Sequence, residues 1–398
     1  MKISTRIAEM AESETLAMSA KSAQLKTEGR DVINLALGEP DFATPSFIRD
    51  YAKKSIDDGY THYPPVSGYQ DLKEAICLKL KRDNAVDFKP NQIVVSNGAK
   101  HSITNLVFSL VNLGDEVIVP APYWVSYPEI VKLAGGIPVI VKAGVEQDFK
   151  VTAAQIEVAI TPKTKAIFFN SPSNPTGSVY TFNEMKAIAE MLAKYPEIVM
   201  ISDEIYELIN FSAKHTSMAA FPQIKNQLVI VNGVAKGWAM TGWRIGYIAA
   251  PLEIAQACSK CQGQMTSACS SIAQRATIAA MLQDPTESVD LKEMVATFKK
   301  RRDIALRMLK EIKGVKLSIP DGAFYIFMDI SELLEREYDG IFVKSAADLT
   351  NLLLEKTYVG MVGGDSFGNN KCIRVSYATS EEKLIEACNR LQRFFNIK

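Results

Sequence analysis

Lys236 sits in the stretch Asn232-Gly233-Val234-Ala235-Lys236-Gly237-Trp238, among small and apolar neighbours, and Arg244 follows eight positions later. An ammonium in such company has little water to solvate it, so its pKa should fall. A neutral amine is a nucleophile that condenses with an aldehyde. The arginine, always charged, suits a phosphate. A lysine in a loop is ordinarily a solvated charge. This one gains meaning only if the chain also supplies a phosphate cradle, an acid and a carboxylate clamp.

Several stretches offer those parts. Asn97-Gly98-Ala99-Lys100 is a small-residue turn between an apolar run and a helical pattern. Free backbone N–H groups and the positive end of a helix dipole meet at such a turn, which makes it an anion site. It lacks the glycine spacings of dinucleotide and ATP loops. Gly38, in Gly38-Glu39-Pro40-Asp41-Phe42, lets backbone approach a ligand closely. Further on, apolar runs end in Pro122-Tyr123-Trp124, in Asn174-Pro175-Thr176-Gly177, and in Asp203 with Tyr206 three residues on. Taken singly, Trp124 reads as packing, Asn174 as a turn and Asp203 as a helix cap. Together with the lysine and arginine they describe a site for pyridoxal 5'-phosphate (PLP), which carries both an aldehyde and a phosphate.

The elements that must position these residues alternate. Strand-like runs fall at 93–96, 116–119, 137–141, 166–169, 198–201, 228–231 and 245–249, with helical patterns such as 69–84 and 182–193 between them. Strands alternating with helices predict a mainly parallel sheet covered on both faces. Ligands of such sheets bind beyond the carboxyl ends of the strands. Residues 1–30 read as a polar, mostly helical arm. After about residue 284 the pattern changes to a long charged helix at 291–312, short strands at 323–328 and 372–377, and helices at 346–355 and 380–395. The basic run Lys299-Lys300-Arg301-Arg302 is expected to be a solvated face.

Composition narrows the class. The 398 residues are 47% hydrophobic and 23% charged, and the 45 basic residues balance the 45 acidic ones. A nucleic-acid or membrane-surface partner would leave a basic excess, so the expected partners are small molecules. The six cysteines are scattered, with one Cys258-Ser259-Lys260-Cys261 spacing that lacks a second pair; a reducing, cytoplasmic setting and no metal site are expected. No signal peptide and no membrane span are expected.

With these motifs in order along nearly the whole chain, and with Met240-Thr241-Gly242-Trp243-Arg244-Ile245-Gly246 and Arg374-Val375-Ser376-Tyr377-Ala378 beside them, the sequence resembles the class I aminotransferases. These are the fold-type-I PLP enzymes of the aspartate aminotransferase family. The resemblance implies an α/β three-layer sandwich with a mainly parallel seven-stranded sheet. It implies a large PLP-binding domain at 46–290, and a small α+β domain from 1–45 and 291–398 that closes over the substrate. It implies that Lys236 anchors PLP and then moves the proton at the substrate Cα. Asp203 would keep the pyridine nitrogen protonated, Tyr206 and Asn174 would bond the ring's phenolic oxygen, and Trp124 would stack on its face. Gly98, Ala99, Lys100 and Arg244 would hold the phosphate. Tyr63 would reach it from a partner subunit, making a homodimer with shared active sites. Arg374, with Gly38, would take the substrate α-carboxylate.

Two departures stand out. Gly233 occupies the position, three before the anchor, where some members carry a phosphate-binding Ser. Residues 261–274 hold neither Arg nor Lys, where the best-known branch reads a second substrate carboxylate with Arg. Aspartate with 2-oxoglutarate is the expected substrate pair. The alternatives are an aromatic amino acid or prephenate, or a PLP-dependent C–S or β-lyase of the same fold. Only 37 residues precede Gly38, which argues against a DNA-binding regulator built on this fold.

Overall fold

A computed structural model describes residues 3–8, 10–212 and 214–396. Its centre is a seven-stranded sheet in the order Ile93–Ser96, Gly246–Ala249, Leu228–Gly233, Val199–Asp203, Thr164–Asn170, Glu116–Ala121, Ile137–Lys142. Gly246–Ala249 runs antiparallel to both of its neighbours, and every other pair is parallel.

The central strands are apolar at successive positions because both faces are covered. On one face Ile201, Val229 and Val231 pack with Ile103, Leu106 and Val107 of the helix Ala99–Leu110, and with Ala255 and Cys258 of the helix Leu252–Met265. On the other, Met200, Leu228 and Ile230 belong to the core that holds Leu72 and Ile76 of Gln70–Asn84 and Met185 and Ile188 of Phe182–Leu192. This period-two division between two helix layers is what parallel strands require.

A second, three-stranded antiparallel sheet joins Val362–Gly363, Cys372–Ser376 and Tyr325–Asp329. The helices Val289–Leu309, Ala346–Thr357 and Glu381–Asn396 pack with this part of the chain. The N-terminal segment reaches it through Ile33–Asn34, which pairs parallel with Val359–Gly360. The polar arm contains the helices Thr5–Ala8 and Glu14–Thr27. The helices Ser46–Asp57, Leu252–Met265 and Ser271–Leu282 complete the layers.

One expectation fails by half. Lys299 and Lys300 are exposed, but Arg301 and Arg302 are each only 8% exposed. Helical geometry puts them on the stripe of Phe298, Ala305 and Leu309, which is buried. Arg301 donates to Asp41 at 2.7 Å, and Arg302 to the Pro320 carbonyl at 3.1 Å. The charges are therefore paired inside rather than solvated.

Cys258 is buried and Cys261 partly so; burial pushes both thiols up, Cys258 to about 12, which leaves them protonated and unreactive. No helix among the described residues is long and apolar enough to cross a membrane.

Candidate active site

The register of the parallel strands puts Asn170, Asp203 and Val231 side by side at their carboxyl ends. Each chain then leaves the sheet toward the same region. Asp203 is buried, 4% exposed. Its Oδ2 accepts from the Tyr127 hydroxyl at 2.6 Å, and its Oδ1 from the Ile205 N–H at 3.2 Å. Burial pushes the carboxyl up to about 6, with Glu204 adding to the rise; those two hydrogen bonds and the Lys236 charge pull the other way. Tyr127, which the sequence reading passed over, is held by stacking on Phe168 at 4.3 Å between centroids. It lies three residues beyond Trp124, the last residue of the Pro122-Tyr123-Trp124 motif.

Lys236 lies in a single turn of backbone between Leu228–Gly233 and the next strand, closed by Trp238 N–H to Val234 O at 3.2 Å and Met240 N–H to Ala235 O at 3.1 Å. Its Nζ donates to the Gly38 carbonyl at 2.6 Å and stands 5.7 Å from the Tyr206 ring centroid and 5.8 Å from that of Phe324. Burial pushes the amine down to about 8, and the Arg374 and Arg244 charges add to this; Glu39 and Asp203 oppose it. The lowered pKa expected from apolar surroundings is thus present, with two arginines as a contribution the local sequence did not reveal.

The turn expected to hold a phosphate is built from three close approaches. Gly98, with φ of +82°, caps the helix Ala99–Leu110, whose first N–H groups lack intrahelical partners. A Cβ on Gly98 would come within 2.5 Å of the Arg244 guanidinium, so only glycine leaves room there. Arg244, itself left-handed at φ of +58°, is aimed by donating to the Thr241 carbonyl at 2.8 Å and the Asn97 carbonyl at 3.4 Å. Gly246 presses against the Gly98–Ala99 backbone from the sheet side. The Gly233 departure has a steric cause: a Cβ there would meet the Ile245 carbonyl at 2.8 Å and Gly246 Cα at 2.9 Å, so the space for a serine is taken by backbone.

Lys100 differs from the expectation in one respect. Beyond its backbone in the turn, its ammonium stands over the Trp124 ring, 5.0 Å from the centroid. Trp124 meets Tyr127 edge to face at 5.4 Å. A cation therefore borders the tryptophan, and its contiguity with the turn concealed it as one more phosphate group.

Arg374 comes from the second sheet and is 2% exposed. Its Nη1 donates to Asn174 Oδ1 at 3.0 Å and its Nη2 to the Ala36 carbonyl at 2.6 Å, while Nε has no partner. The guanidinium lies between the rings of Tyr325, at 4.6 Å, and Phe367, at 4.8 Å. A buried guanidinium with unused donor capacity suits a planar anion. Tyr206 donates to or accepts from Tyr325 at 2.9 Å.

So the structure joins Asp203, Tyr206, Lys236, Gly38, Asn174 and Arg374 in one connected set, with Gly98, Ala99, Lys100, Arg244 and Trp124 along its border. Tyr63 stands apart: its side chain is 98% exposed, and it makes no side-chain hydrogen bond among the described residues. Behind Asp203, Glu204 accepts from Ser202, Ser217, the Met218 N–H and His215, and Glu207 is paired with Lys79. These acids satisfy themselves with donors.

Comparison with known proteins fits this arrangement. Residues 30–391 match the family profile described as aminotransferase class I and II. The chain is 44% identical, over its full length and that of its relative, to an aspartate aminotransferase of Geobacillus stearothermophilus. It is 43% identical to an aspartate/prephenate aminotransferase of Nitrosomonas europaea, covering 98% of this chain and 99% of that one. The aspartate aminotransferase structure from Rhizobium meliloti superposes with a TM-score of 0.95 at 37% identity, covering 100% and 99% of the two chains. That of Thermus thermophilus with maleate gives 0.93 at 36%, covering 99% and 100%. Enzymes of this family use PLP, and the glycine-only cradle beside Arg244, the depressed amine of Lys236 and the buried acid Asp203 fit that group. By sequence, by fold and by the residues gathered at its strand ends, the chain belongs to the class I and II aminotransferases.

Proposed function

We propose that the chain is an aspartate aminotransferase, which passes the amino group of L-aspartate to 2-oxoglutarate by a ping-pong route. The observation that carries this reading is the Arg374–Asn174 pair beside Lys236. A buried guanidinium with a free Nε stands in the same connected set as an amine whose pKa, about 8, suits proton transfer near neutrality. The relatives' names supply the substrate class.

PLP, when bound, supplies an aldehyde for the substrate amine and a ring that accepts electrons from the Cα–H bond. This chain's residues do the rest. Arg374 takes the α-carboxylate and fixes which bond of Cα faces Lys236. Lys236 would act as the base that takes the Cα proton and, once protonated, as the acid that gives it back. Asp203, held by Tyr127, would be the buried carboxylate that pairs with the ring nitrogen and keeps it protonated. Lys100, over Trp124, is the cation available to a second substrate carboxylate, and it fills the gap left by the uncharged 261–274 segment. We assign residues 46–290 to a PLP-binding domain and 1–45 with 291–398 to a smaller one whose closure excludes water. Exposed Tyr63 fits a homodimer in which each subunit completes its partner's phosphate site.

Single-turnover mixing of the PLP-loaded protein with each amino acid tests the assignment. Aspartate and glutamate should convert the cofactor to its amine form fastest. Rapid conversion by aromatic amino acids alone would overturn the assignment. Prephenate as an acceptor is the second reading, favoured by the bifunctional relatives. Loss of amino acid without need of any 2-oxo acid would instead mark a lyase.

A further inference from the structure

We infer that Tyr325 is a positioning residue that ties the carboxylate clamp to the phenol of Tyr206. The inference rests on the proposed aminotransferase reading. Tyr325 opens the strand Tyr325–Asp329, paired in register with the strand that carries Arg374. It is fully buried. One face of its ring underlies the Arg374 guanidinium at 4.6 Å, and its hydroxyl lies 2.9 Å from that of Tyr206, in the turn that follows the strand Val199–Asp203 of the other sheet. The same hydroxyl occupies the space above Gly38: a Cβ there would approach it to 2.5 Å. So one side chain touches the clamp, the phenol and the glycine whose carbonyl holds Lys236.

The direction of the hydroxyl pair follows from what Tyr206 has to do. For Tyr206 to donate its proton to an anionic oxygen of a ligand, its own oxygen must accept from Tyr325. A donor behind it strengthens its donation, because hydrogen bonds in a chain polarise one another. Burial holds the Tyr325 phenol above its ordinary pKa, and the Arg374 guanidinium 4.6 Å from the ring centroid opposes this, so the arginine's charge modulates the strength of that donor. When a substrate carboxylate neutralises Arg374, Tyr325 becomes a weaker donor, and Tyr206 follows. Carboxylate binding is thereby felt at the ring oxygen through a path separate from Asn174. The titratable and charged groups facing the pair are Arg374, Asp203 and Lys236, with Tyr377 behind Tyr325.

The test is a pH titration of the visible absorbance of the PLP-loaded protein, with and without succinate, in the wild type, Tyr325→Phe, Tyr325→Met, Tyr206→Phe and Tyr206→Phe/Tyr325→Phe. Tyr325→Phe keeps the ring under Arg374 and removes only the hydroxyl. Its titration midpoint should rise by about half to one pH unit, the scale of one hydrogen bond. The further rise caused by succinate should shrink, with succinate affinity nearly unchanged. Tyr325→Met, lacking the ring face as well, should also bind succinate several-fold more weakly. In the Tyr206→Phe background, Tyr325→Phe should add nothing. A midpoint unmoved in Tyr325→Phe, or an equal shift with Tyr206 already removed, overturns the inference. Absence of any lysine-linked absorbance in the wild type would instead overturn the reading beneath it. Melting of the PLP-free variants separates these outcomes from misfolding.

Discussion

The Lys236 amine and the Gly38 carbonyl oxygen, 198 positions apart in the chain, lie 2.6 Å apart. A single donor–acceptor contact thus brings the loop proposed to meet the substrate's carboxylate against the group proposed to move its proton. Lys236→Ala removes the group proposed as both covalent anchor and base. Turnover should fall by about three orders of magnitude or more, since a positioned base alone contributes roughly 10²–10⁴-fold. PLP should still bind, through the phosphate turn, but without the absorbance of the lysine-linked form. An unchanged spectrum in that variant would place the anchor elsewhere.

Arg374→Lys keeps the charge and loses the fork. The guanidinium meets Asn174 and Ala36 with two nitrogens and packs flat between Tyr325 and Phe367. A lysine cannot reproduce two parallel bonds or the stacking. The expected cost is about 2–3 kcal/mol of binding, or roughly 30- to 150-fold in kcat/KM. Most of it should appear in KM for substrates carrying an α-carboxylate. Steady-state kinetics with aspartate measure this, and a loss confined to kcat would contradict the clamp.

Asp203 should make the PLP-free protein less stable above pH 6 than below pH 4. Its folded pKa, about 6, is raised above the ordinary aspartate value by burial. The stabilising contribution of the protonated carboxyl is therefore full below about pH 4 and is lost as pH rises through 6. At pH 8 the buried carboxylate costs about 3 kcal/mol relative to an unperturbed one. Asp203→Asn should thus resist urea better than the wild type at pH 8 and equally at pH 4, while its turnover falls. Urea unfolding of the PLP-free proteins at both pH values checks the sign. A variant no more stable at pH 8 would show that the acid is not strained by burial.

How much of this could be read from the chain depended on how local the signal was. The seven strands and their carboxyl ends were legible because apolar runs and turn residues alternate within short windows, and the register then brings Asn170, Asp203 and Val231 level. Lys236 and Gly98 were legible because their neighbours are small. Tyr127 and Tyr325 were not, since an aromatic residue inside an apolar run looks like packing until the partner of its hydroxyl is known. Arg301 shows the reverse limit. A basic run says nothing of which charges face inward, and Asp41, its partner, lies 260 positions away. The side chain of Lys100 was hidden by its own turn, whose backbone accounted for it.

Gly98→Ala tests the phosphate turn through sterics alone. The position has φ of +82° and ψ of 162°, a region essentially confined to glycine, which a side chain adopts at a cost of roughly 1–3 kcal/mol. The added methyl would also lie 2.5 Å from the Arg244 guanidinium, which would have to swing away from the turn. Both effects act on the same ligand group, since Arg244 and the first N–H groups of Ala99–Leu110 border the same opening. PLP affinity should fall at least tenfold, and the affinity for free inorganic phosphate with it, while succinate binding to the PLP-loaded protein stays within about twofold once the site is saturated. Titration of the PLP-free protein with PLP and with phosphate measures both. Equal weakening of succinate would mean that the substitution had disturbed the whole site, and the assignment of this turn to the phosphate would lose its support.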